Sequence, residues 1–185
     1  MTTTYAGETI GFTVALEDDA DSKPQCPLPT SVTIEVKENS EAATLLAETS
    51  MLLQVIENGI ADGGSGLTLQ DSTKAWLNDE WRDACIRITA GPGIGQERRI
   101  KSNTATTLTI DTRQVVNGYP VGPFSPAVGS SSAYELHRAV YRLNWDSPED
   151  KGGAVIMAVA RAKQTPPNGY TSVEKIQIEL EDPPV

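Results

Sequence analysis

The chain has 185 residues, 38% of them hydrophobic and 22% charged, enough to bury one ordinary core or two small ones and too apolar for wholesale disorder. Its 25 acids against 15 bases leave a net charge of −10, which argues against a nucleic-acid binder, because such proteins need a basic face to displace counterions from phosphates. No apolar run approaches the roughly 18 residues of a membrane span, and MTTTYAGETI lacks the basic and apolar parts of a signal peptide, so the expected setting is a cytoplasm-like compartment or a particle assembled in one.

In chain order, alternating or β-branched runs predict strands at Thr9–Leu16, Ser31–Lys37, Ala84–Thr89, Glu97–Lys101, Thr106–Ile110, Ala133–Trp145, Ala154–Ala162 and Ser172–Leu180. Gly, Pro, Asn and Asp separate them. One helical candidate of a turn or two stands out, Ser72–Asp83, where Trp76, Leu77 and Trp81 recur at 3.6-like spacing after a possible Asp71 or Ser72 cap. The predicted class is all-β.

Charge balance suggests an organisation. Residues 1–51 together with 139–185 hold 16 acids and 7 bases, net −9, whereas residues 52–138 hold 9 acids and 8 bases, net −1. The middle segment is therefore expected to be a small β-barrel-like domain, 52–138, inserted at an exposed turn of an outer sandwich built from 1–51 and 139–185. Cys26 and Cys85, 59 positions apart, fall on opposite sides of that division. With no CxxC and a single histidine, His137, no zinc site is expected, and both cysteines read as reduced, partly buried residues.

The outer halves resemble the immunoglobulin-like sandwiches of tailed-bacteriophage structural proteins. The resemblance rests on Tyr5-Ala6-Gly7-Glu8-Thr9 ahead of an alternating strand, the acidic turn at 17–21, the Pro29–Lys37 strand, and the Tyr141–Trp145 strand leading into Gly152-Gly153. The Cys…Trp…Cys spacing of antibody-type domains is missing. Residues Gly64–Asp111 resemble a small β module that recurs in phage tail, fibre and other virion proteins, through Asp71-Ser72, Trp76, Trp81, Ile86-Arg87-Ile88, Gly91-x-Gly93-x-Gly95-Gln96, Arg98-x-Ile100, Asn103 and Thr107-Leu108-Thr109. These resemblances imply a virion structural component at the head surface, neck or tail, with other virion proteins and copies of itself as partners and no cofactor. A carbohydrate-binding or host-recognition module of a fibre or baseplate is the alternative.

The run GPGIG, Gly91–Gly95, lacks the GK[ST] of a phosphate loop and is followed by Gln96 and a strand instead of a helix, so it reads as a hairpin corner with glycines at positive φ. Glu17, Asp18, Asp19 and Asp21 lack the glycine and terminal glutamate of a calcium loop and run into Lys23-Pro24, so they read as a solvated turn. His137 has no GxSxG-type partner motif, so no catalytic role is expected. Trp76 and Trp81 are either a sugar-stacking platform or core, and the scarcity of other large side chains favours core. The apolar loop Arg113–Ser131, with Tyr119 and Phe124, is expected in subunit contacts together with the termini. Arg98 and Arg99, on opposite faces of a strand, are either surface charges or contacts to a neighbouring subunit. The interaction candidates are thus Arg98, Arg99, Tyr119 and Phe124, and no catalytic, metal or cofactor residue is expected.

Overall fold

The computed structural model describes residues 2–5, 9–17, 22–29, 31–38, 43–113, 115–116, 119–146, 155–163 and 171–181. Fifteen strands and no helix are found among them: β1 (Thr2–Tyr5), β2 (Thr9–Ala15), β3 (Ser31–Glu38), β4 (Thr44–Ser50), β5 (Leu52–Ile60), β6 (Gly63–Gly64), β7 (Thr68–Gln70), β8 (Cys85–Ala90), β9 (Glu97–Asn103), β10 (Thr107–Ile110), β11 (Val115–Val116), β12 (Tyr119–Pro120), β13 (Ala133–Asp146), β14 (Val155–Lys163) and β15 (Thr171–Glu181). The protein is all-β, as its alternating runs predict. The chain divides into two compact units, Met1–Val14 with Pro29–Leu53 and Tyr141–Val185, and Ala15–Leu28 with Gln54–Val140.

The first unit holds a five-stranded sheet in the order β1-β15-β14-β3-β4, antiparallel except for the parallel pairing of β1 with β15. Period-two alternation does the sorting. On β3, Val32, Ile34 and Val36 are buried while Thr33, Glu35 and Lys37 are partly exposed, and on β14 Ala158, Ala160 and Ala162 are buried, with Val159 on the other face buried as well. The unit's share of β2 buries Ile10, Phe12 and Val14, and Phe12 lies 6.2 Å from Trp145, ring centroid to ring centroid. The acidic turn at Asp18, Asp19 and Asp21, the turn at Gly152-Gly153 and the C-terminal tail beyond Glu181 lie outside the described residues.

The second unit is built on consecutive antiparallel ladders that link β13, β8, β9, β10, β7 and β6, with β5 also paired to β13. Its core gathers Leu69, Trp76, Trp81, Ile86, Ile88, Ile100, Leu108, Ile110, Phe124, Val128, Tyr134 and Leu136.

Two expectations need correction here. Residues Ser72–Asp83 form successive turns instead of a helix. Their amides bond across to other strands and loops, Trp76 N–H to the Ala105 carbonyl, Asp79 N–H to that of Asn103 and Asp83 N–H to that of Ile100. The remaining local bonds span three residues, Glu80 N–H to Leu77 and Arg82 N–H to Asp79, and Asp79 and Asp83 adopt positive φ. A helix would need those amides for its own ladder. Trp76 and Trp81 therefore share the core because cross-chain bonds pin them there, and Leu77 between them is 75% exposed.

The cysteines are the second correction. Cys26 and Cys85 form a disulfide with Cα atoms 5.8 Å apart. The excursion Ala15–Leu28 packs with the second unit, not the first: Lys23 pairs with Asp83 at 2.9 Å, Leu28 N–H donates to Glu97 Oε2 at 2.6 Å, and Leu16 N–H donates to the Ala139 carbonyl at 3.0 Å. The two cysteines thus belong to one unit, which a division by charge balance, with the excursion left in the outer domain, had separated.

Candidate interaction surface

The glycine run between β8 and β9 is the tip of an antiparallel hairpin, and Gly91, Gly93 and Gly95 all take positive φ, as a corner of this sequence requires. Gly91 is doubly constrained, because a Cβ there would stand 2.5 Å from the Ser131 carbonyl oxygen. The corner is tied to the long loop that precedes β13. Ser132 Oγ donates to the Pro92 carbonyl at 2.8 Å and accepts from Gly129 N–H at 3.1 Å, and a Cβ on Gly93 would meet Val128 at 3.2 Å.

Gln96, the last residue before β9, and Arg98, the second residue of β9, fasten the same loop. Gln96 Nε2 donates to the Pro126 carbonyl at 3.0 Å, while its Oε1 accepts from Ser125 N–H at 2.7 Å and from Arg98 at 3.1 Å. The Arg98 guanidinium donates to the carbonyls of Gly122 and Pro123 at 3.0 and 2.9 Å and lies 5.3 Å from the centroid of the buried Phe124 ring. Burial pulls the Arg98 pKa below its usual value, and an arginine remains charged under all working conditions. A third contact joins the turn before β7, where Phe124 N–H donates to the Gly66 carbonyl at 2.8 Å and a Cβ on Gly64 would lie 2.9 Å from Val128. Three loops thus form one braced surface.

The interaction candidates fall into place accordingly. Arg98 and Phe124 meet each other within the chain and hold the loop. Arg99 is 4% exposed, with its guanidinium donating to the Pro24 carbonyl at 3.3 Å, so it anchors the Ala15–Leu28 excursion instead of presenting a charge to a neighbour. Tyr119 sits on the two-residue strand β12, paired with Val116 of β11, and its side chain lies outside the described residues.

Other polar residues that could suggest chemistry serve the scaffold. The buried Asn103 accepts from Trp81 N–H at 2.8 Å and donates to the carbonyls of Leu77 and Thr104, which fixes the turns between them. Tyr134 donates to Asp71 at 2.7 Å, and Asp71 also accepts from the hydroxyl and amide of Thr73. Burial pushes the Asp71 carboxyl upward, but these hydrogen bonds and nearby Lys74 outweigh it and hold the pKa below its ordinary value. The Tyr134 hydroxyl moves the other way, raised by burial and by donation to Asp71. Gly59 leaves room for this pair, since a Cβ there would lie 2.5 Å from both oxygens.

His137 is fully buried, and its Nδ1 accepts from Ala139 N–H at 3.4 Å. Burial, with Arg87 adding to it, pulls its pKa down to about 4, so the imidazole is neutral at physiological pH. Trp76 and Trp81 are 7% and 5% exposed, which leaves no stacking face for a sugar at either. Among the described residues no three His, Cys, Asp or Glu side chains converge as a metal site, and no helix is long and apolar enough to cross a membrane.

Sequence reasoning missed Gln96 as the partner of Arg98 and Ser132 as the tie to the corner. The only sequence signal was the polar character of Gln96 directly after the glycines. Compared with family models, with curated proteins and with solved structures, the chain matches none of them.

Proposed function

We propose that this chain is a non-enzymatic structural component of a tailed phage particle, at the head surface, neck or tail, acting through repeated protein–protein packing. The observation that carries the reading is the braced loop surface of the second unit, where Gln96, Arg98 and Ser132 hold three loops in one arrangement. A preordered surface loses little conformational entropy on binding, which suits a packing part. The resemblance of Gly64–Asp111 to a recurrent virion module supports the same reading, as does the use of Asp71, Asn103, Arg99 and His137 in scaffold roles. Fold alone does not decide function, so the assignment stands on that surface and that resemblance.

Mass spectrometry of purified particles and of the soluble lysate from an infection by the phage whose genome encodes this chain tests it. The reading expects the chain at a fixed, multiple copy number in particles washed at high salt. Finding it only in the soluble lysate would overturn it.

A further inference from the structure

Cross-strand register puts two rows of polar groups on the face of the second unit's sheet that turns away from its core. On β13, β8 and β9 the core takes Leu136, Ile86 and Ile100, so alternation sends the residues beside them to the opposite face. There His137 pairs with Cys85, which pairs with Arg99, and two residues along Glu135 pairs with Arg87, which pairs with Glu97. Residues paired in this way are side-chain neighbours.

The Ala15–Leu28 excursion lies across this face as a strap. Cys26 is bonded to Cys85, the Pro24 carbonyl accepts from Arg99 at 3.3 Å, and Leu28 N–H donates to Glu97 Oε2 at 2.6 Å. We propose that the Cys26–Cys85 bridge is a redox-operated latch, which holds the strap over the polar rows when oxidised and lets it lift from a folded sheet when reduced.

The bridge is the strong fastening because the rest of the contact is polar. Among the described residues of the strap only Leu16 and Cys26 are buried. Lys23 and Asp83 pair with side chains 39% and 34% exposed, and a pair so open to water holds little. Beneath the strap lie groups that water solvates well, so lifting it uncovers little apolar area. His137 gains from the change. Its Nδ1 accepts from Ala139 N–H, so Nε2 carries the hydrogen, and among the described residues Nε2 has no acceptor. Water admitted beside Cys85 would supply one.

Opening is a thiol–disulfide exchange with a small thiol or dithiol. A thiolate attacks Cys26 Sγ on the strap, the bridge breaks, and its electron pair stays on Cys85 Sγ, in the same row as the Arg99 cation, which favours a leaving thiolate. A second thiolate attacks the reagent's sulfur in the mixed disulfide and frees Cys26. Two reagent thiols become one small disulfide as the bridge becomes two cysteine thiols, and closing is the reverse, with a small disulfide as oxidant. A reducing compartment would keep the latch open and an oxidising medium would close it.

Reduction of the full chain by dithiothreitol without denaturant tests the latch, with thiols counted by alkylation and amide exchange followed by mass spectrometry. Two thiols are expected to appear while tryptophan fluorescence stays native. Amide exchange at Gln25 and Leu28, whose N–H groups bond to the Leu16 carbonyl and Glu97, is expected to accelerate at least tenfold, with β7 and β10 unchanged. Glutathione disulfide is expected to restore slow exchange. Cys26→Ser/Cys85→Ser is expected to show the fast exchange without any reductant, which separates loss of the bridge from effects of the reagent. Thiols that appear only at urea concentrations that unfold the tryptophan core would overturn the latch and leave the bridge a static staple. Strap amides that exchange as slowly in the reduced wild type as in the oxidised chain would overturn it too.

Discussion

Reduction of Cys26–Cys85 is the perturbation with the most calculable effect. The bridge joins positions 59 apart, and closing a loop of that length removes chain entropy worth about 4 kcal/mol from the unfolded state at 25 °C. At a urea m-value of about 2 kcal/mol/M, that corresponds to a midpoint lower by about 2 M. The native contacts of the excursion remain available after reduction, namely Lys23 with Asp83, Arg99 with the Pro24 carbonyl and Leu28 N–H with Glu97, so the fold is expected to survive with reduced stability. Urea unfolding followed by tryptophan fluorescence, with and without reductant, measures the shift, since Trp76 and Trp81 report on the same unit. The double variant Cys26→Ser/Cys85→Ser is expected to reproduce the reduced curve in the absence of reductant. Coincident curves, in samples where thiol titration shows two free cysteines, would refute the reasoning.

Three further outcomes are expected. His137 takes up a proton in the folded state only near pH 4 but near 6.5 when unfolded, so stability is complete above pH 6.5 and declines as pH falls to 4, by about 3 kcal/mol; His137→Leu is expected to flatten that part of a pH–stability curve. Gly59→Ala places a methyl group 2.5 Å from the Tyr134 and Asp71 oxygens and is expected to cost about 1–3 kcal/mol, read as a lower denaturant midpoint; an unchanged midpoint would mean that the pair moves aside freely. Arg98→Ala removes the bonds to the Gly122 and Pro123 carbonyls and is expected to speed amide hydrogen exchange in residues 121–126 at least tenfold, with little change at β3.

Much of the fold was legible because its signals are local. The alternation of Ile10, Phe12 and Val14, or of Val32, Ile34 and Val36, needs only the two-residue period of a strand, and Gly91, Gly93 and Gly95 announce positive φ by residue type. The errors came where distant partners decide. Trp76 and Trp81 have helical spacing, but the carbonyls of Ala105 and Ile100 and the Asn103 side chain claim the backbone around them, and nothing near residue 76 in the sequence announces those acceptors. The pairing of Cys26 with Cys85 depends on the Ala15–Leu28 excursion folding onto the second unit, a long-range event that charge balance does not register.

The candidate surface was half legible for the same reason. The apolar loop Arg113–Ser131 stood out by composition, and Arg98 and Phe124 were singled out individually. Their mutual contact and the brace from Gln96 involve residues 24–30 positions apart whose acceptors are backbone carbonyls, which carry no residue-type signature. Strand alternation puts Arg98 and Arg99 on opposite faces, and left each as a surface charge or a contact to a neighbouring subunit. It did not anticipate that both guanidinium groups find acceptors inside their own unit.

The most direct measurement is high-resolution electron cryomicroscopy of intact particles of the phage whose genome encodes this chain. The account predicts symmetry-related density into which both units fit, with the loops at Leu67, Ile94 and Pro126 buried against another subunit. Complete particles with no density for the chain, or with the chain present but those loops facing open solvent, would contradict it.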